Sequence, residues 1–109
     1  MASVELNGAV IDSEQAFHAE CRRAFGFPDS YSDSMDAWVD CLSYLRDEDG
    51  MTKFKLFPNE KLEIVVKDAA AMRAKVPELL EELAFCVGGI NERYEDYGEK
   101  PALALVLRD

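Results

Sequence analysis

The six residues Ala102 to Leu107, ALALVL, form a continuous apolar run of strand length late in a 109-residue chain. A strand apolar on both faces suggests burial on both, which favours parallel pairing in the middle of a sheet. Parallel strands need crossover connections, and helices must then cover the apolar sheet. Other segments supply the remaining strands. Val4 to Leu6 is a short strand candidate closed by the turn dipeptide Asn7-Gly8. Lys61 to Lys67, KLEIVVK, is a strong one. Just before it, Lys53-Phe54-Lys55-Leu56 alternates with period two and Pro58-Asn59-Glu60 makes a turn. These residues are expected to form a β-hairpin whose first arm is an edge strand protected by lysines.

Between the strands the apolar spacing is helical. A first helix is expected to start at Asp12 or Ser13, with Asp12 favoured by its capping-box spacing to Gln15. Phe17, Cys21 and Ala24 make its buried stripe, and Gly26 ends it. His18 lies a full 100° round from Phe17 beside Arg22, so it is expected on the solvent side, without a functional role. Asp68 is the expected cap of a short helix, Ala69 to Lys75, and Pro77 the first residue of a longer one. Glu78, Glu81 and Glu82 near its start suit the helix dipole. Leu80, Leu83, Val87, Ile90 and Tyr94 form its core stripe. Gly88-Gly89 in mid-helix costs roughly 1 kcal/mol per residue relative to Ala, so the pair either kinks the helix or lets something approach closely. Phe85, off the stripe, packs under the hairpin or meets a partner or a second copy.

The stretch Pro28 to Leu45, PDSYSDSMDAWVDCLSYL, is a turn-rich loop running into an amphipathic helix with Ser34 as N-cap. Met35, Trp38, Cys41, Leu42 and Leu45 share one face, which must be buried. Asp36, Asp40 and Ser43 share the other, flanked by Val39 and Tyr44. Like charges at i and i+4 repel by ~0.2–0.5 kcal/mol, a cost that a basic partner would offset.

The string FPDSYSDSMDAWVDCL resembles the loop and second helix of the barstar family, intracellular inhibitors of barnase-type ribonucleases. The matching pattern is Phe27 before Pro28, an acidic residue, Tyr31, a cap at Ser34, then Asp36-Ala37-x-x-Asp40-Cys41-Leu42. The clear resemblance spans residues 4 to 46; beyond it the order of elements agrees. It implies a three-stranded parallel sheet packed against helices, with the second helix and its loop as the binding face. It also implies a mechanism of occlusion. Asp40 would sit where an RNA phosphate sits in the ribonuclease cleft, Asp36 would pair with a neighbouring basic residue, and Tyr31 would supply an aromatic contact. Asp33, Val39, Ser43 and Tyr44 complete the candidate partner-binding set. Ser30 and Val39 stand where the family carries interface aromatics, so the target is open between barnase itself, a different nuclease and another basic protein. Glu92 and Arg93 fall near a partner-binding Glu of the family's last helix, with no residue-by-residue match.

Composition agrees with a protein partner. The chain has 12 basic and 22 acidic residues, a net charge of −10 and a pI near 4.5. Phosphate neutralisation needs clustered Lys and Arg, so nucleic acid is not an expected ligand. No apolar stretch approaches the ~20 residues that span a bilayer, and Met1 to Val10 has no signal-peptide pattern. Cys21, Cys41 and Cys86 are odd in number and sit in helical apolar patterns, which fits reduced thiols in the cytoplasm. Two Asp on one helix face offer oxygen ligands from one side only, so no metal or other cofactor is expected. Cys41 on a buried face and a lone His18 make no nucleophile–base pair, so the protein is not expected to be an enzyme.

The expected architecture is a single α/β, barstar-like domain spanning residues 1–109. Its small, mainly parallel sheet has three parallel strands plus the edge hairpin arm, packed against about four helices. The expected function is inhibition of a basic, barnase-like ribonuclease by a cytoplasmic monomer. The alternative is an adaptor for another cationic protein.

Overall fold

A computed structural model describes residues 2–109, and its central strand is the β-branched segment LEIVVK. This strand, β2 (Leu62–Lys67), lies between β1 (Ala2–Asn7) and β3 (Leu103–Leu107), and both pairings are parallel. The register aligns Val4, Ile64 and Leu105 across the sheet, and Leu6 with Val66. Alternation along the strands then sends Val4, Leu6, Leu62, Ile64, Val66 and Leu103 into one core. On the opposite face Val65 is flanked by Glu5 and Val106.

Four helices cover the inner face: α1 (Glu14–Phe25), α2 (Met35–Leu42), α3 (Ala69–Lys75) and α4 (Pro77–Asp96). Trp38 of α2 sits at the centre without solvent exposure, its ring centroid 6.2 Å from those of Phe17 and Phe25. The periodicity of α4 is borne out, since Leu80, Leu83, Val87, Ile90 and Tyr94 are all buried. A single-turn 3-10 segment, Gly8–Val10, links β1 to α1. A Cβ at Gly8 would lie 2.5 Å from the Lys67 carbonyl oxygen, so the close approach of the turn after β1 to the end of β2 requires glycine there.

Several expectations are corrected. ALALVL pairs in parallel, but as an edge strand rather than the middle one. Its inner face is covered by the core, while Ala104 and Val106 run beside Glu63 and Val65 on the other face. The 53–56 arm is not a strand, and the sheet has three strands rather than four. Its backbone bonds elsewhere: the Lys53 N–H donates to the Phe25 carbonyl (2.9 Å) and the Leu56 N–H to the Leu45 carbonyl (2.8 Å). The period-two pattern is that of an extended segment pressing Phe54 and Leu56 onto the helical layer. Phe85 therefore has no hairpin above it and is 80% exposed.

Ser13, not Asp12, caps α1, accepting from the Ala16 N–H at 3.1 Å. Asp68 precedes α3 in the left-handed region (φ 52°) and makes no side-chain cap. Helix α2 ends at Leu42, yet Leu45 stays buried because Tyr94 holds the following turn. The Tyr94 hydroxyl donates to the Leu42 carbonyl (3.2 Å) and accepts from the Leu45 N–H (3.0 Å).

Candidate functional site: the loop and outer face of the second helix

The loop into α2 is built from the end of α1. Gly26, at φ 70°, terminates α1 in the left-handed conformation. Phe27 then lies between Phe25 and Tyr31, with ring centroids at 5.2 and 4.4 Å. Tyr31 is only 4% exposed, and its hydroxyl meets His18 Nδ1 at 2.6 Å. Arg22 braces the same loop, its Nη2 donating to the Tyr31 carbonyl (2.6 Å) and its Nε to Asp33 Oδ1 (2.7 Å). Asp33 has φ 54°, a left-handed backbone that costs a non-glycine residue about 1–2 kcal/mol. The ion pair with Arg22 helps hold it there. Ser34 then caps α2, accepting from the Ala37 N–H at 3.1 Å.

One expectation fails here. His18 is 1% exposed rather than on the solvent side, because the loop folds back over that flank of α1 and Tyr31 supplies its hydrogen-bond partner. Burial lowers its pKa below the usual imidazole value, against the raising influence of Glu14 and Asp33. Tyr31 is similarly enclosed, and its ring props the loop from inside. Burial pushes its phenol far above the ordinary tyrosine range.

The other candidates separate into exposed surface and support. Asp36 is exposed in the first turn of α2, where the helix dipole favours a carboxylate. Asp40, one turn on, is 67% exposed at its side chain. Val39 between them is half-buried and packs on the core. Ser43 is half-buried, its hydroxyl donating to the Val39 carbonyl at 2.7 Å. Tyr44 is 45% exposed at the far end. Asp33 is on the surface with its carboxylate already committed to Arg22.

The residue whose place only the structure gives is Arg93 of α4. Its Nη1 lies 3.2 Å from Ser43 Oγ and 3.6 Å from Asp40 Oδ1. At the other end of the helix pair, the Cys86 thiol of α4 is raised by burial and then by the charges of Glu82 and Asp36. Glu82, Cys86, Gly89 and Arg93 are spaced 4, 3 and 4 apart, one side of α4. That side runs along the Asp36–Asp40–Ser43 side of α2. Past Arg93 the surface opens into a cavity of about 550 Å³ bordered by Tyr44, Asp47, Arg93, Asp96 and Tyr97. No periodicity within one helix reveals which α4 residue faces Asp40; the crossing of the two helices decides it.

The face offers charge and shape. Cys41 is buried, with its thiol pushed up by burial and by Asp40, the reverse of an activated nucleophile. Among the described residues, no three His, Cys, Asp or Glu side chains gather as metal ligands would. Among them also, no helix is long and apolar enough to cross a membrane.

A three-stranded parallel sheet under four helices, with a braced loop feeding an acidic helix face, defines a small α/β domain of the barstar type. The chain belongs to the Barstar (barnase inhibitor) family, whose model matches residues 1–106. The match extends well past residues 4–46, where the resemblance is clear by eye. A search of the curated proteins finds no match for the chain.

Proposed function

We propose that this protein binds a barnase-type ribonuclease and occludes its cationic active site with the outer face of α2. The observation that carries the reading is the pair Asp36 and Asp40, exposed one turn apart on a helix whose opposite face is locked into the core. The helix and its loop are held by bonds inside the chain, so little ordering entropy is lost on binding. Family membership supports the choice of a ribonuclease as the target.

In this reading Asp40 takes the place of an RNA phosphate among the cleft's basic side chains, and Asp36 pairs with a basic neighbour. Charge-assisted hydrogen bonds strengthen as the cleft is emptied of water. The net charge of −10 draws a basic partner from a distance and speeds the encounter. The exposed half of Tyr44 supplies an aromatic contact at the edge, while Tyr31 and Asp33 act by holding the loop. The protein works by binding rather than by turnover, as a monomer, and its three free thiols suit the cytoplasm.

The second reading, an adaptor for a different basic protein, draws on Val39, which packs on the core where the family carries an interface aromatic. RNA cleavage by purified barnase-type ribonucleases, with and without the protein, separates the two. Loss of cleavage is expected. Tight binding of a cationic protein without any loss of cleavage would favour the adaptor.

A further inference from the structure

Arg93 is a cation placed on the working edge of an acidic face. Its side chain is 53% exposed, and that of Asp40 beside it 67% exposed. An ion pair so open to water contributes about 0–1 kcal/mol to folding. Fold stability therefore gives little reason for an arginine at this position. Its geometry leaves much of the side chain uncommitted. Both partners, Ser43 Oγ and Asp40 Oδ1, lie on Nη1. Among the described residues, Nη2 and Nε have no side-chain partner. Arginine's planar fork matches a carboxylate through two parallel hydrogen bonds.

The two ends of the α2–α4 surface differ in charge as a result, one acidic and the other with a cation set among its acids. Around Cys86 the charges are Asp36 and Glu82, both negative. At Ser43 the cation of Arg93 stands beside Asp40, with Asp47 and Asp96 further along the same surface. A partner that is basic throughout its contact would bring like charge against Arg93 as water leaves, and such juxtapositions cost several-fold to many-fold in affinity.

We infer that Arg93 is the specificity-determining residue of this face, selecting ribonucleases that carry a carboxylate on the rim of the cleft, opposite Ser43 and Arg93. This rests on the ribonuclease-inhibitor reading and deepens it. Asp36 and Asp40 supply attraction shared by any cationic cleft. Arg93 accepts those whose rim acid fills its open donors and rejects those whose rim is basic at that point.

The test is a set of dissociation constants for wild type, Arg93→Ala, Arg93→Glu and Asp40→Ala. The probes are barnase-type ribonucleases with a carboxylate at the cleft rim and others with a wholly basic rim. Wild type is expected to prefer the acid-rimmed enzymes. Arg93→Glu is expected to reverse that order, losing roughly tenfold or more on acid-rimmed enzymes and gaining a similar factor on basic-rimmed ones. Arg93→Ala should lie between. Equal shifts on both sets, or none, while Asp40→Ala still weakens binding, would overturn the role of Arg93 and leave the site standing. Binding that ignores Asp40→Ala would overturn the site itself, and this inference with it. Thermal melts of the Arg93 variants, expected to match wild type, guard against misfolding as the cause.

Discussion

The Tyr31 hydroxyl and His18 Nδ1 meet at 2.6 Å in a site where both rings are almost wholly buried. Together with the two bonds that Arg22 makes to Tyr31 and Asp33, this bond joins the loop before α2 to the body of α1, so the position of the acidic face depends on it.

Tyr31→Phe removes the hydroxyl and leaves a buried imidazole nitrogen without its partner. A loss of about 1–3 kcal/mol in unfolding free energy is expected, measured by urea denaturation. The ring remains stacked on Phe27, so the variant should fold. Hydrogen exchange of residues 27–34 should rise more than that of β2, because the tether lost is local.

Acid should weaken the fold in two stages. The folded pKa of His18 is lowered, chiefly by burial, so the unfolded chain binds its proton first. Stability from this source is complete above the ordinary value of 6.5 and falls as pH drops below it. Glu20 adds a second stage. Its carboxylate accepts from Arg23 and from the Asn7 N–H at 2.7 Å, and these bonds outweigh burial in lowering its pKa from 4.5. Its contribution is present above 4.5 and lost as pH falls through the lowered value. Melting temperature against pH should show both stages, and His18→Gln should flatten the first alone.

Arg46 is 6% exposed at its side chain and caps the turn between α4 and β3. Nη1 donates to the Lys100 carbonyl (2.8 Å), Nη2 to the Glu60 carbonyl (3.0 Å), and the guanidinium lies 5.0 Å from the centre of the Tyr94 ring. Arg46→Met keeps an apolar stem and strips the donors. It should cost about 1.5–3 kcal/mol, the range for hydrogen bonds to a charged group, in chemical denaturation.

Gly88→Ala should act in the other direction. A Cβ there meets nothing within 4 Å, and Ala gains about 0.8–1 kcal/mol over Gly in a helix interior. A higher melting temperature with unchanged ribonuclease binding is expected. A lower one would show that the glycine serves the folded chain in some way its surroundings do not reveal.

The fold was legible where a pattern is local. Ser34 and Gly26 announced their caps, Pro77 opened α4, and the α2 stripe from Met35 to Leu42 marked its buried face. What could not be read depends on distant chain. His18 looked exposed because helical phase places it off the Phe17 stripe, and only the loop returning thirteen residues later encloses it. The 53–56 alternation reflects an extended segment lying on helices, a pattern that strand periodicity alone does not distinguish from an edge strand. ALALVL correctly signalled parallel pairing but not its place in the sheet, since strand order is set by crossovers rather than by the strand's own residues. The acidic pair Asp36 and Asp40 was evident from spacing. Arg93 beside it was not, because two helices fifty residues apart must cross to bring it there.

The most direct test of the account is a titration of a barnase-type ribonuclease with this protein, following RNA cleavage, alongside Asp40→Ala. Cleavage by a susceptible enzyme should end sharply at an equimolar point with wild type. The Asp40→Ala titration should be blunted, with affinity lower by roughly tenfold or more. Full inhibition by Asp40→Ala would contradict the placement of the site, and the absence of inhibition by wild type across such enzymes would contradict the proposed function.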